Sequence, residues 1–249
     1  MNYITFTNKG SLDFCENLLL SSKNVGIEKD FVVYCLDEES YDVIKNNYEC
    51  ESKLFDSSIS GIFHEYGKDD FRKITETKIK VILNALEEYD SLVYTDSDVV
   101  FLENPTDIIL KAVDVCKTNN YNVDIFFASD EPFMNICTGF MYINNTEVVR
   151  SLFEKYFELS NIYKEQGSEC MYDQEIIFSI LRNNMLGKRL TWATYPTTLI
   201  KNGHLYWNEP EGRTGKEAVV HVNFTIGKLS KINRLKEANL WYVKEGVEV

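Results

Sequence analysis

The first hundred residues alternate short apolar runs with longer amphipathic stretches, and few folds accept that order. "NYITFT" (2–7), "FVVYCL" (31–36), a brief "KLF" (53–55) and "SLVYT" (91–95) read as strands. Between the first two, "LDFCENLLLSSKNV" (12–25) reads as a helix capped by Ser11 and stopped at Gly26. "DEESYDVIKNN" (37–47) reads as a second helix, with acids in the first turn where the helix dipole favours them. A loop spans Asp56 to Lys68. A third helix is expected from about Asp70 to Tyr89, with Ile74, Ile79, Ile82, Leu83 and Leu86 on its apolar stripe and Lys78 and Lys80 off it. Strands separated by helices pair in parallel, and a parallel sheet needs cover on both faces. The expected fold class is therefore α/β, with a mainly parallel central sheet between layers of helices.

After Pro105 comes a helix capped by Thr106 or Asp107. "VDIFFAS" (123–129) and "GFMYIN" (139–144) read as strands separated by "DEPFMNICT", and "EVVRSLFEKYFELSNIYKE" and "YDQEIIFSILRNN" as helices. Residues 188–207 are aromatic and short-stranded. "AVVHVNF" (218–224) reads as a clear strand and "LSKINRLKEANLW" (229–241) as a final helix. No repeat, low-complexity tract or Pro/Ser-rich linker interrupts the chain. Residues 1–249 are expected to form one domain, about 1–104 the nucleotide-binding half and about 105–249 the half that completes and closes the site.

Charge narrows the ligand. The chain carries a net charge of −13, which argues against a nucleic-acid groove. A small anion would need a metal ion or a few local lysines to hold it. No run approaches the ~18 apolar residues of a membrane span, and the N-terminus reads as a first strand rather than a signal peptide. Six cysteines without a CxxC pair point to reduced, mostly buried thiols. These features set a cytoplasmic expectation, in a host's cytoplasm if the protein is viral. Oligomeric state is not legible.

"YDSLVYTDSDVVFLENP" (89–105) places Asp96 and Asp98 between two runs that both want burial. Acids so close repel, and each costs energy to desolvate, so positive charge is expected nearby. At i and i+2 of an extended chain both side chains point one way, toward the carboxyl edge of the sheet where ligands bind. Hard oxygen ligands suit Mg²⁺ or Mn²⁺. A solvated capping turn is the plain alternative; an EF-hand is excluded for want of its other ligands. GxGxxG and P-loop patterns are absent.

Taken with its surroundings, "KITETKIKVILNALEEYDSLVYTDSDVVFLENP" resembles the core of the GT-A nucleotide-sugar glycosyltransferases, most closely glycosyltransferase family 77 and its nucleotide-diphospho-sugar transferase relatives. "SDEPFMNICTGFMYINNTEVV", "YDQEIIFSIL" and "VVHVNFTIGKLSKINRLKEANLW" resemble three later segments of that family, in the right order. The resemblance implies a GT-A, Rossmann-like fold. It implies a metal held by Asp96, Asp98 and His221; an imidazole beside carboxylates favours Mn²⁺, with Mg²⁺ as the alternative. It puts Thr7, Asn8, Asp37, Lys78, Asp96, Ser97, Gly227, Lys228 and Lys231 around the nucleotide and its diphosphate. Asp130, Asp173 and Gln174 fall near the reacting sugar, and Thr138, Gly139, His204 and Trp207 on the acceptor side.

Each has a plainer reading beside it. Asp37 and Asp173 suit helix caps, Thr7 a capping turn, His221 a core histidine, Lys78 and Lys228 solvated surface, and Trp207 core packing. The expected activity is metal-dependent transfer of a hexosyl or pentosyl group from a nucleotide diphosphate sugar, a UDP-sugar first, to a hydroxyl of a glycan or other acceptor. Retention of configuration follows from the resemblance alone. Two rivals stay open: a haloacid-dehalogenase-like phosphatase using Asp96 as nucleophile and Asp98 as general acid, and a non-catalytic nucleotide-sugar-binding protein.

Overall fold

The computed structural model describes residues 1–55, 61–67, 71–168, 171–209 and 213–244, without the side chains of residues 134 and 135. Residues 56–60 and 68 of the expected loop from Asp56 to Lys68, and Cys170, fall outside that set. Strands β1 (Tyr3–Thr7), β2 (Phe31–Cys35), β3 (Glu51–Leu54) and β4 (Ser91–Thr95) run parallel in the order β3–β2–β1–β4. They are joined through α1 (Leu12–Asn24), α2 (Glu38–Asn47) and α3 (Phe71–Glu88). The contiguous apolar runs and the helices between them dictate this half.

β6 (Ile125–Asp130), β7 (Met134–Asn144) and β8 (Trp192–Thr194) complete a seven-stranded sheet, β3–β2–β1–β4–β7–β6–β8. β7 begins five residues earlier than Gly139, where the strand was expected to start. The turn between β6 and β7 is too short for a crossover, so they pair as a hairpin, and β7 also runs antiparallel to β4. The remaining pairs are parallel, and the sheet stays mainly so.

A second sheet, which the sequence reading did not anticipate, joins β5 (Val99–Phe101), β10 (Val219–His221) and β9 (Ile200–Lys201) in the order β5–β10–β9. The Asp96–Asp98 segment is thus the passage between sheets. The apolar run before it is the central strand of the large sheet, and the run after it is buried in the small one. Five further helices follow: α4 (Thr106–Thr118), α5 (Glu147–Glu165), α6 (Asp173–Arg182), α7 (Gly203–Asn208) and α8 (Lys228–Glu237).

Strand alternation distributes side chains to two cores. Tyr3 and Val93 pack with Leu18, Val33 and Ile109 on one face. Ile4, Leu92 and Tyr94 pack with Ile79, Leu86, Phe153 and Ile176 on the other. Both faces are covered, as the parallel pairing requires, and each such side chain contributes roughly 1.5–3 kcal/mol by its burial.

Several local expectations need correction. Ser11 holds the N-cap position of α1 but makes no side-chain cap bond; Asn8 caps the short 3₁₀ turn before it, its Oδ1 accepting from the Ser11 N–H at 3.1 Å and the Ser11 hydroxyl at 2.9 Å. α4 is capped by neither Thr106 nor Asp107; Asn104 Oδ1 accepts the Thr106 N–H at 2.9 Å. α8 stops at Glu237, and Asn239 turns the chain with a left-handed φ of 58°. Cys15, Cys35, Cys50, Cys116 and Cys137 form no disulfide. Among the described residues, no helix is long and apolar enough to cross a membrane.

Candidate active site

The two aspartates are pinned by different sheets. The Asp96 N–H donates to the Gly139 carbonyl at 2.8 Å, extending the β4–β7 ladder of the large sheet. The Asp98 carbonyl accepts from the Val222 N–H at 3.1 Å, extending the β5–β10 ladder of the small one. β10 thereby brings His221 to the pair: Nε2 lies 3.1 Å from Asp98 Oδ1 and 3.8 Å from Asp96 Oδ2. One ligand atom from each of the three residues lies within 4.8 Å of the others. Gly139 permits this approach. A Cβ there would sit 2.2 Å from His221 Cε1 and 2.8 Å from Asp96 Oδ2. Two carboxylates and one imidazole in this compass fit a divalent cation such as Mn²⁺.

Lysines also answer the acidic charge. Lys231 Nζ stands 2.5 Å from Asp98 Oδ2. Lys78, expected off the apolar stripe of α3, is instead buried, its ammonium 3.0 Å from Asp96 Oδ1 and 2.8 Å from Asp173 Oδ2. The Tyr94 hydroxyl donates to Asp96 Oδ1 at 2.7 Å. Burial opposes ionisation of Asp98, but the charges and hydrogen bonds of Lys231 and His221 outweigh it and hold its pKa far below the usual carboxylate range. The same contact with Asp98 overrides burial at His221 and raises its pKa well above that of free imidazole. Burial likewise opposes the charge on Lys78, and Asp173 and Asp96 reverse the effect, so it stays an ammonium.

A polar chain runs on from the lysine. Asp173 accepts from the Thr138 hydroxyl at 2.7 Å. It does not cap α6; Glu175 Oε2 accepts the Tyr172 N–H at 3.1 Å there. The neighbouring Gln174 takes the Thr138 N–H on Oε1 at 3.3 Å and donates from Nε2 to Asp130 Oδ2 at 2.9 Å. Asn223 Nδ2 donates to the other Asp130 oxygen at 3.0 Å. Burial raises the pKa of Asp130, only partly offset by these two amides.

These groups line a cleft of about 560 Å³ at the carboxyl edge of the large sheet. Asn8, Ser97 and Gly227 reach it too; Thr7, Asp37, Lys228, His204 and Trp207 lie outside its lining. The Thr7 hydroxyl is engaged with the Asn8 carbonyl and the Ser11 side chain. Asp37 caps α2 through the Ser40 N–H at 2.8 Å and also takes the Lys9 N–H at 2.7 Å. Lys228 ties α8 to the first turn, 2.7 Å from the Gly10 carbonyl and 3.0 Å from Asp13. Trp207 packs against Tyr206, and His204 stands behind Phe133.

Sequence reasoning passed over Tyr94, Cys137, Phe133 and Phe224, and gave Asn223 no role of its own. The H-x-N spacing from His221 to Asn223 was a usable signal. Cys137, whose Sγ lies 3.5 Å from His221 Nδ1, offered none.

A sequence profile of the family described as nucleotide-diphospho-sugar transferase matches residues 27–235. A UDP-galactose:fucoside alpha-3-galactosyltransferase of Dictyostelium discoideum is 24% identical over 97% of this chain and 43% of its own length. A UDP-D-xylose:L-fucose alpha-1,3-D-xylosyltransferase (number 3) of Arabidopsis thaliana is 23% identical over 73% of this chain and 50% of its own. The chain thus spans about half the length of these two relatives. Among solved structures, the glycosyltransferase GlyE of Streptococcus pneumoniae superposes with a TM-score of 0.59 at 14% identity, covering 98% of this chain and 61% of its own. The galactosyltransferase LgtC, solved with donor and acceptor sugar analogues, superposes with a TM-score of 0.56 at 15% identity, covering 98% of each chain. At such identities the likeness concerns the fold, which is the GT-A arrangement.

Proposed function

The chain belongs to the nucleotide-diphospho-sugar transferase family, and from that membership we propose that it moves a hexosyl or pentosyl group from a UDP-sugar to a hydroxyl of a glycan. The observation that carries this is the meeting of Asp96, Asp98 and His221 from two sheets over Gly139. Their donor atoms would hold a divalent ion, Mn²⁺ before Mg²⁺. Such an ion, when bound, neutralises the diphosphate and stabilises the charge that develops as UDP leaves. Both named relatives take UDP-sugars and act on fucose or a fucoside. A UDP-hexose or UDP-pentose donor and a terminal fucose acceptor are therefore the substrates of this proposal.

The chain's own groups have separate tasks. Lys231 brings a cation to the edge of the diphosphate position, and Gly227, at a φ of 90°, lets the backbone come close there. Lys78 holds Asp96 and Asp173 in place between the nucleotide and sugar sides. Gln174 faces the reacting carbon with its amide orientation set by Asp130 and the Thr138 N–H. Both oxygens of Asp130 accept amide protons, and Asp173 is tied by Lys78 and Thr138. In this reading Asp130 and Asp173 position neighbouring groups, and retention is the stereochemistry proposed. The named relatives form alpha linkages, as retention from an alpha-linked UDP-sugar would.

Family membership leaves the phosphatase reading of the same aspartates without support. Calorimetric titration of UDP and GDP, each with and without Mn²⁺, tests the rest. UDP should bind at least about tenfold more tightly with the metal; no gain with any nucleotide would end the proposal. UDP-sugar binding with neither transfer nor hydrolysis would identify a binding protein of the same fold.

A further inference from the structure

The rim of the cleft carries side chains for which the chemistry above has no use. Phe133 follows β6, Phe224 follows β10 and His204 lies on α7, yet the three meet as one aromatic cluster. The rings of Phe133 and Phe224 are 5.1 Å apart at 39°, and His204 stands edge-on to Phe133 at 4.8 Å and 82°. Both phenyl rings line the cleft but stay 62% and 42% exposed, and Ile226 on the same wall is 66% exposed. Large apolar groups gathered at a cleft mouth and left in water mark a surface that binds something.

The backbone supports that reading. Phe224 has a φ of 56°, a conformation a bulky residue adopts only at a cost. Glycine or asparagine would suit the turn better, so the ring is held in place against local preference. His204 is a buttress: Nδ1 pairs with Asn208 and Nε2 with Glu209, both at 3.2 Å, while its ring backs Phe133.

Strand order says which substrate comes here. The turn after β1, with Asn8, lies on one side of Asp96; the β6–β7 turn, with Phe133, lies on the other. A nucleotide on the first side leaves the second for the acceptor. We propose that Phe133 and Phe224 form an acceptor subsite for a 6-deoxyhexose, taking the C–H face of the ring on their π faces and its methyl group against the apolar rim. This rests on the transferase reading. Aromatic faces accept polarised C–H surface, whereas a hydroxyl at C6 would lose water among groups that offer it no hydrogen bond.

The test uses the full chain with Mn²⁺ and UDP, and methyl α-L-fucoside as the probe. Its partner is methyl α-L-galactoside, which differs only by the C6 hydroxyl. Saturation-transfer NMR should show the fucoside methyl and ring protons contacting the protein, and Phe133→Ala and Phe224→Gly should each weaken binding about tenfold. Phe224→Gly relieves the left-handed strain, so its melting temperature should hold or rise and the loss cannot be put down to unfolding. With a UDP-sugar donor, the same variants should raise the acceptor KM about tenfold, a larger change than in the donor KM. The fucoside should be preferred about tenfold over the galactoside. Fucoside binding unaltered in both variants, or equal use of the two glycosides, would overturn the subsite. Absence of donor turnover in the unaltered protein, with fucoside contacts still lost in the variants, would fault the transferase reading and leave the subsite standing.

Discussion

The two sheets that meet at Asp96 and Asp98 are built on different principles. The large sheet repeats one unit, an apolar strand against a helix stripe, and buries side chains on both faces. The small sheet has strands of two or three residues; Val99, Phe101, Ile200 and Val219 share a core with the large sheet, Val100 and Val220 pack in a core of their own, and polar contacts add to these. Lys201 on β9 stands 3.4 Å from the buried Glu217, whose carboxylate also takes the Thr214 and Gly215 N–H groups at 2.6 and 2.9 Å. The large sheet has more and longer strands, while the small one aims β10 and so decides whether His221 reaches the acids.

The largest effect tests whether the seam is shared. Asp98→Asn and Asp96→Asn should each lower sugar transfer on the order of 10³-fold and abolish Mn²⁺-dependent UDP binding by calorimetry. Metal-dependent binding that survives one change would assign the site to a single sheet.

Next comes the contrast in stability. Lys78→Met leaves Asp96 and Asp173 without their buried cation and should cost about 3–5 kcal/mol in urea unfolding. Lys201→Met leaves Glu217 its backbone donors and should cost only about 1–3 kcal/mol. A larger loss at Lys201 would show that the ion pair under the small sheet matters more than the one beneath the aspartates.

Acid should separate them further. Burial opposes ionisation of Glu217, but the Thr214 contacts and Lys201 pull its pKa from 4.5 down to about 2. Because the folded value is depressed, its contribution is full above about pH 4.5 and fades as pH falls toward 2. The melting temperature of Glu217→Gln should lie below that of the unaltered protein at pH 6, and the difference should close by about pH 2. A constant difference would show that the charge is not what matters.

The smallest effect concerns the tail that braces α1. Asn17 donates to the Leu240 carbonyl at 3.0 Å and accepts the Tyr242 N–H at 2.6 Å. Asn17→Ala should cost about 1–2 kcal/mol and speed hydrogen exchange at the Tyr242 amide, with metal affinity unchanged. A matching fall in metal affinity would extend the seam to the C-terminal segment.

What could be read in advance follows from range. β1, β2 and β4 and the helices between them were legible because apolar periodicity is written in consecutive residues. The Asp96–Asp98 pair was legible for the same reason, since two apolar flanks make a solvated turn costly. Periodicity misplaced Lys78: it counts positions on α3 and does not register that the start of α6 and the end of β4 both arrive at that face. Ser11 and Asn8 are both competent caps, and only the packed first turn chose between them.

By itself, the sequence determined a mainly parallel α/β sheet with an acidic pair at the end of its central strand, because nearest-neighbour hydrophobicity and strand geometry suffice for that. Tertiary structure decided the small sheet, the burial of Lys78 and the aromatic rim of Phe133, Phe224 and His204. Strands of two or three residues carry no period, and contacts across a hundred residues of chain, such as His221 with Asp98, exist only once both sheets have formed.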